Sequence, residues 1–217
     1  MPSRTERRRI AFGTRSAHKL REVREILGVR SEFDLLGLDD LDVAATPDED
    51  AIEAFDSFHR NAVAKARFYA RRTGLTTLAD DSGLVVDALG GAPGVHSKRF
   101  SGRADLSGAD LDRANNALLL ERLADVPPDR RSARFVCCAA LALPDGPVLF
   151  SVIGTCIGRI ADAPRGGAGF GYDPLFLLPD LGVTFAELSP DEKNRRSHRA
   201  RAFRAVAAHL DGIPHPG

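Results

Sequence analysis

Two adjacent carboxylates, Asp80 and Asp81, stand in the stretch LADDSG between a short apolar run and a glycine. Successive side chains on extended backbone point to opposite sides. One Asp can therefore face a cleft while the other supports a turn or a second metal ion. A carboxylate at the end of a strand can hold Mg2+ and orient a water, with phosphate oxygens completing the shell of the ion. Asp81 is the candidate base and Ser82 a candidate partner for a phosphate or ribose, and Gly83 would let the chain approach closely. By itself the hexapeptide reads more readily as an Asx-type turn around a hydrogen-bonded Asp. Glu53 is a further candidate metal carboxylate, or an acidic residue at a helix N-terminus, where negative charge is favoured.

Positive groups recur near the C-terminus. Lys193 suits a phosphate chain as a point charge, and Arg199 can make paired hydrogen bonds to an oxyanion or a base edge. His198 could donate to a nucleobase or phosphate, although a basic amphipathic helix could simply expose all three. Phe170, Tyr172 and Phe176 could wall a base pocket or pack in a core. Tyr172 and Asp173 follow a glycine-rich run, which would present them at a rim. No Cys/His spacing supports zinc, and Ser82 with the distant His198 is weak support for a hydrolytic triad. Together these residues suggest a small, phosphorylated, aromatic ligand.

Several elements must position them. RIAFG reads as an opening strand, and Leu20, Val23, Ile26 and Leu27 then repeat at helical spacing up to Gly28. Between strand and helix lies a polar loop that could offer N–H groups to an anion, with Thr14, Ser16 and Lys19 nearby. It lacks the glycines of a P-loop. A second helix is predicted over 51–72, with Asn61 and Lys65 on one face. TTLA reads as a strand entering the acidic turn, GGAPG as a bend, and 110–123 as a helix. Two strands are expected to join around Pro144-Asp145-Gly146. Ser189-Pro190-Asp191-Glu192 has the form of a capped start for a helix towards Leu210, with Asn194 and Ser197 able to support an irregular first segment. The expectation is an α/β, elongated, two-lobed fold: a twisted mixed sheet, flanking helices and a nucleotide cleft between the lobes. Residues 1–9 are expected to be a flexible extension, 10–210 a single two-lobed domain and 211–217 a tail.

The 217 residues carry 30 basic and 30 acidic side chains, so net charge offers no support for nucleic-acid binding. No apolar span is long enough to cross a bilayer, and the basic beginning lacks the apolar segment of a signal peptide. Cys137, Cys138 and Cys156 lie in apolar runs, which fits buried thiols in a reducing, cytoplasmic compartment.

Five ordered stretches resemble the Ham1/RdgB family of inosine triphosphate pyrophosphatases. They are TRSAHK (14–19), FHRNAVAKA (58–66), LADDSGLVVDALGGAPGVHSKRFSG (78–102), GFGYDPLF (169–176) and TFAEL followed by EKNRRSHR. The resemblance runs from about Ile10 to Ala208. It implies a Mg2+-dependent homodimer that hydrolyses free purine nucleoside triphosphates (ITP, dITP and XTP) to the monophosphate and pyrophosphate, acting on neither nucleic acid nor membrane. It makes Asp81 the water-activating residue and a metal ligand, with Asp80 and Glu53 as further acidic positions. Thr14, Arg15, Ser16, Ala17, His18 and Lys19 fall at its phosphate loop. Ser82 contacts nucleotide, Phe170, Gly171, Tyr172 and Asp173 match its base-binding segment, and Lys193, His198 and Arg199 match later nucleotide-binding positions. Two residues depart from the pattern: Ser16 stands where an Asn amide is usual, and Arg60 where a Glu is common.

Overall fold

The computed structural model describes residues 7–28 and 33–210. In chain order its elements are β1 (Arg8–Phe12), α1 (Ala17–Leu27), β2 (Phe33–Gly37), α2 (Phe58–Thr73), β3 (Thr77–Val86), α3 (Gly108–Arg122), β4 (Ser132–Ala142), β5 (Val148–Ile160), β6 (Phe176–Leu178), β7 (Val183–Thr184), α4 (Pro190–Arg196) and α5 (His198–Leu210). The strands are ordered β2-β1-β3-β4-β5-β6-β7 in a mixed sheet, giving the α/β class that the pattern predicts. Of the expected flexible ends, 1–6 and 211–217 lie outside the described residues, whereas Arg8 and Arg9 already belong to β1.

The chain divides into two compact units. The first comprises the chain up to Asp81, Cys137–Gly154 and the chain from Arg199 onward. In it β1 runs parallel to β2 and β3, with Phe12, its last residue, level with Leu78. Both faces of this sheet are covered, as parallel strands require. On one face Phe12, Leu78, Cys137 and Leu141 pack with Val23 and Leu27 of α1 and Phe203 and Val206 of α5. On the other, Ala79, Cys138, Ala140 and Ala142 meet the alanine stripe Ala62, Ala66 and Ala70 of α2. The predicted turn between β4 and β5 forms, with the Gly146 N–H donating to the Leu143 carbonyl at 3.4 Å.

The second unit comprises Ser82–Val136 and Thr155–His198. Its β6 pairs antiparallel with β5, Phe176 opposite Ile160, and also with β7. Leu84, Leu119, Phe135, Tyr172, Phe176 and Phe185 are among its core residues.

Three sequence expectations are corrected. The helix predicted from 51 begins at Phe58, because Ser57 accepts a hydrogen bond from the Arg60 N–H and fixes the first turn there. Pro47–Ala51 forms a separate 3-10 turn. The stretch LADDSG is neither a turn nor a strand end: β3 runs through it, and every residue of the strand except Ser82 is buried. The helix starting at Ser189 has the predicted capping box but is interrupted where Ser197 takes an extended ψ of 156°, so it becomes α4 and α5.

Candidate active site

In the first unit the loop between β1 and α1 is tied to its neighbours by main-chain bonds. The Gly13 N–H donates to the Leu78 carbonyl at 2.8 Å. A Cβ at Gly13 would lie 2.6 Å from the Tyr69 ring, so the close approach to α2 requires glycine here. Thr14 Oγ1 accepts from the Ser16 N–H at 3.2 Å, and Ser16 Oγ caps α1 by accepting from the Lys19 N–H at 3.3 Å. Arg15 reaches the 43–49 segment. Its Nε and Nη2 grip the two oxygens of Glu49 at 3.0 and 2.6 Å, while Nη1 and Nη2 donate to the Val43 and Ala44 carbonyls at 2.7 and 2.9 Å. Ala17 and His18 are exposed in the first turn of α1, where His18 Nδ1 lies 2.9 Å from Arg21.

The two carboxylates of β3 point to opposite faces of the sheet, as strand alternation dictates. Asp80 is fully buried on the face of α1 and α5. Its Oδ2 lies 3.0 Å from Lys19 Nζ, 3.7 Å from Arg199 Nε and 3.8 Å from Cys137 Sγ. Asp81, 5% exposed, belongs to the face of α2, where its Oδ2 accepts from Asn61 Nδ2 at 2.9 Å. One turn further along α2, Lys65 Nζ donates to the Asp80 main-chain carbonyl at 2.9 Å and forms an ion pair with Glu53. Both carboxylates follow the level at which β1 ends, the C-terminal side of parallel strands where α/β proteins bind ligands.

The charges in this cluster tune one another. Burial raises the Asp81 pKa above its ordinary 3.8, and the charges of Lys65 and Lys19 only partly offset it. Burial acts the same way on Glu53, but there the Lys65 ammonium prevails and the pKa is lowered. Burial alone would depress Lys65, yet Glu53, Asp80 and Asp81 raise its pKa and keep it cationic. The Cys138 thiol is pushed up to about 11 by burial and by Asp81 and Asp80, so it stays protonated and is no nucleophile at neutral pH. Arg199 keeps its charge against burial because Glu22 and Asp80 face it.

In the second unit Ser82 is half-buried on β3. Asp173 is buried, and its Oδ2 accepts from the Phe170 N–H at 2.9 Å and from Lys193 Nζ at 2.7 Å. The Lys193 ammonium also sits 4.9 Å from the centre of the Phe170 ring, within cation–π range. His198 is buried and stacks on Phe135 with ring centres 4.7 Å apart. Tyr172 and Asp173 both depart from the expected rim: Asp173 is buried beside Lys193, and Tyr172 is a core residue with its hydroxyl donating to the Ser97 carbonyl at 2.8 Å. Burial and, secondarily, Asp112 raise its pKa, so the phenol stays neutral. Phe176 is wholly core.

The sequence profile of the Ham1 family matches residues 10–209. The chain belongs to the Ham1 family. It is 48% identical to a dITP/XTP pyrophosphatase of Frankia alni over 93% of this chain and 96% of that protein. A HAM1 protein from Coxiella burnetii superposes with a TM-score of 0.81 at 36% identity, covering 95% of this chain and all of that one. A nucleoside-triphosphatase (dITP/XTP pyrophosphatase) from Mycobacterium abscessus does so with a TM-score of 0.69 at 43% identity, over 93% and 98% of the two chains.

In this Ham1 chain the first unit brings together Lys19, Asp80, Asp81, Glu53 and Arg199, while Phe170, Gly171, Tyr172, Asp173, Lys193 and His198 fall in the second. Asn61 and Lys65 were absent from the residues singled out for chemistry, although their spacing of four had placed them on one helical face. The missed signal was chemical: an amide and a lysine on the otherwise alanine- and tyrosine-lined buried stripe of α2 must have partners. Among the described residues no group of three or more His, Cys, Asp or Glu is gathered as a ready-made metal cage.

Proposed function

We propose that this Ham1-family enzyme hydrolyses non-canonical purine nucleoside triphosphates (ITP, dITP and XTP) to the nucleoside monophosphate and pyrophosphate, and so clears them from the nucleotide pool. The reading is carried by Asp81: a buried carboxylate with one oxygen held by Asn61, a raised proton affinity, and the lysines Lys19 and Lys65 in its field.

A carboxylate so placed suits a general base. Its orientation is fixed, and its raised pKa favours accepting a proton from an attacking water near neutral pH. Asn61 Nδ2 donates to Oδ2 and holds the carboxylate in place to receive the proton. Lys19, anchored on Asp80, supplies positive charge for the phosphate chain from the start of α1, where the helix N-terminus also favours anions. Attack at the α-phosphorus expels pyrophosphate, and lysine charge stabilises the oxyanion that develops. Phe170 through Asp173, with Lys193 and His198, are assigned to the base and nucleotide.

Mg2+ is part of the proposal. The donors fit it: Asp81 and Glu53 are hard oxygen ligands, and Mg2+ is usually bound by one or two carboxylates with waters and substrate phosphates rather than by an all-protein cage. Bound there it would neutralise the phosphate chain and polarise the scissile bond. The homodimer is likewise proposed, supported by the exposed Leu149, Ile153 and Ile157 at four-residue spacing along β5. Three free, buried cysteines support a cytoplasmic location.

The test is a product assay with Mg2+ across ITP, dITP, XTP, ATP and GTP. The proposal expects IMP and pyrophosphate from ITP, with ATP and GTP turned over poorly. IDP and orthophosphate would make the protein a terminal phosphatase, and ITP binding without either product would make it a sensor.

A further inference from the structure

Gly171 is held from both sides by one face of α3. Its N–H donates to Asp112 Oδ2 at 2.7 Å, and its carbonyl accepts from Asn116 Nδ2 at 2.9 Å. Asp112 and Asn116 are four residues apart, so one turn of one helix grips two successive peptide groups. Gly171 has a φ of +61°, and nothing lies within 4 Å of where a Cβ would stand. No other part of the chain crowds the space beside its Cα, and these two hydrogen bonds hold both of its peptide groups.

Asn116 gives up something to make this contact. It is 8% exposed, and its Oδ1 is buried with no hydrogen-bond partner. The amide cannot be turned over to relieve this, because Oδ1 would then face the Gly171 carbonyl oxygen. Leaving a buried acceptor unmade is unfavourable, so the contact with Gly171 is what holds this orientation. The rest of the segment is pinned as well, Phe170 by Asp173 and Tyr172 by Ser97. Asn115, between the two gripping residues, accepts from the Ser101 N–H at 2.8 Å and donates to the Lys98 carbonyl at 3.1 Å, which fixes α3 against 98–101.

We infer that Asp112 and Asn116 are positioning residues for base selectivity: by locking both peptide groups of Gly171 they keep the 170–173 segment from relaxing around a disfavoured purine. The inference rests on the assignment of that segment to the base. Discrimination between an oxo and an amino edge depends on leaving the wrong group unpaired. A loop free to shift by about 1 Å can re-pair it, and glycine is the residue most able to shift.

The test compares kcat/KM for ITP and GTP in the full-length enzyme. Asp112→Leu and Asn116→Leu each remove one hydrogen bond and are expected to lower the ITP:GTP ratio about 10-fold, through a raised KM for ITP and easier acceptance of GTP more than through kcat. Asp112→Asn keeps an oxygen acceptor for the Gly171 N–H and is expected to retain the ratio. Asn116→Asp puts a carboxylate against a carbonyl and is expected to behave like the leucine variant. Should a leucine variant fail to fold, hydrogen exchange at the Gly171 amide of the wild-type enzyme decides: protection is expected, and exchange at the rate of an open loop would overturn the anchor. Folded leucine variants with the wild-type ratio would sink the selectivity role while leaving the proposed function intact. Wild-type enzyme that releases no pyrophosphate from ITP would sink the proposed function, and the selectivity role with it.

Discussion

Asn61 Nδ2 donates to Asp81 Oδ2 at 2.9 Å, joining the face of α2 to the carboxylate in the middle of β3. That bond orients Asp81 without neutralising it. The lysine one turn further along α2 is engaged by Glu53 and by the Asp80 carbonyl, so its charge acts on Asp81 as a field. A base built in this way is aligned by an amide and kept basic by burial.

Asp81→Asn is expected to lower kcat for ITP by about 10²–10⁴, the usual contribution of a general base. Stability should move the other way or not at all. The folded pKa of Asp81 is raised, so its ionisation disfavours the folded state at every pH above that value, and the penalty disappears below 3.8, where the group is protonated folded and unfolded alike. Removing the charge at pH 7 removes the penalty. Thermal unfolding beside single-turnover kinetics checks both halves: equal turnover by the variant would end the role of Asp81 as base, and a large drop in Tm would contradict the account of its burial.

The same shift can be read directly in the metal-free enzyme. Without Mg2+, Asp81 is expected to titrate above 3.8. Glu53 raises this pKa and Lys65 lowers it. Glu53→Gln should therefore move the titration to lower pH and Lys65→Met to higher pH. Carboxylate NMR titrations in which both variants shift it the same way would show that another group is being followed.

What the sequence disclosed about this site follows from how each residue meets its constraint. Strand alternation placed Asp80 and Asp81 on opposite faces even though the stretch was read as a turn. The turn reading failed because Asp and Ser favour turns by bonding to nearby backbone, a preference that distant partners override. Here Lys19, Arg199 and Asn61 satisfy the carboxylates within the sheet. The start of α1 and the capping box at Ser189 were legible, since capping is a local hydrogen bond between near neighbours. Tyr172 was not, because the carbonyl that pairs its hydroxyl belongs to Ser97, 75 residues away. Arg15 illustrates the same limit: it stands in the β1–α1 loop, but its partner Glu49 lies 34 residues on.

Lys19→Ala is expected to act on stability as well as on substrate. Lys19 lies 3.0 Å from the fully buried Asp80, and removing it leaves that carboxylate with Arg199 at 3.7 Å. A loss of about 1–3 kcal/mol follows from weakening a buried charged pairing, together with a raised KM for ITP. Urea unfolding separates this from a solvent-facing lysine, whose truncation usually changes stability by less than about 0.5 kcal/mol. A variant with wild-type stability and wild-type KM would return Lys19 to the surface.

Glu49 joins two arginines from different elements. It accepts two hydrogen bonds from Arg15 beside the β1–α1 loop and lies 3.4 Å from Arg72 near the end of α2. Arg15 and Arg72 also both donate to the Ala44 carbonyl. Glu49→Ala should therefore loosen the 43–49 segment, and with it the chain leading to Glu53, at a cost of about 1–3 kcal/mol. The pH dependence has a definite sign. The Arg15 hydrogen bond holds the Glu49 pKa below its ordinary 4.5, so its contribution is fully present above 4.5 and is lost as the pH falls through the lower folded value. The stability difference between wild type and Glu49→Ala should accordingly be constant from about pH 6 upward and shrink below 4.5. A difference that grows on acidification would mean that Glu49 is not the ionised centre of this clasp.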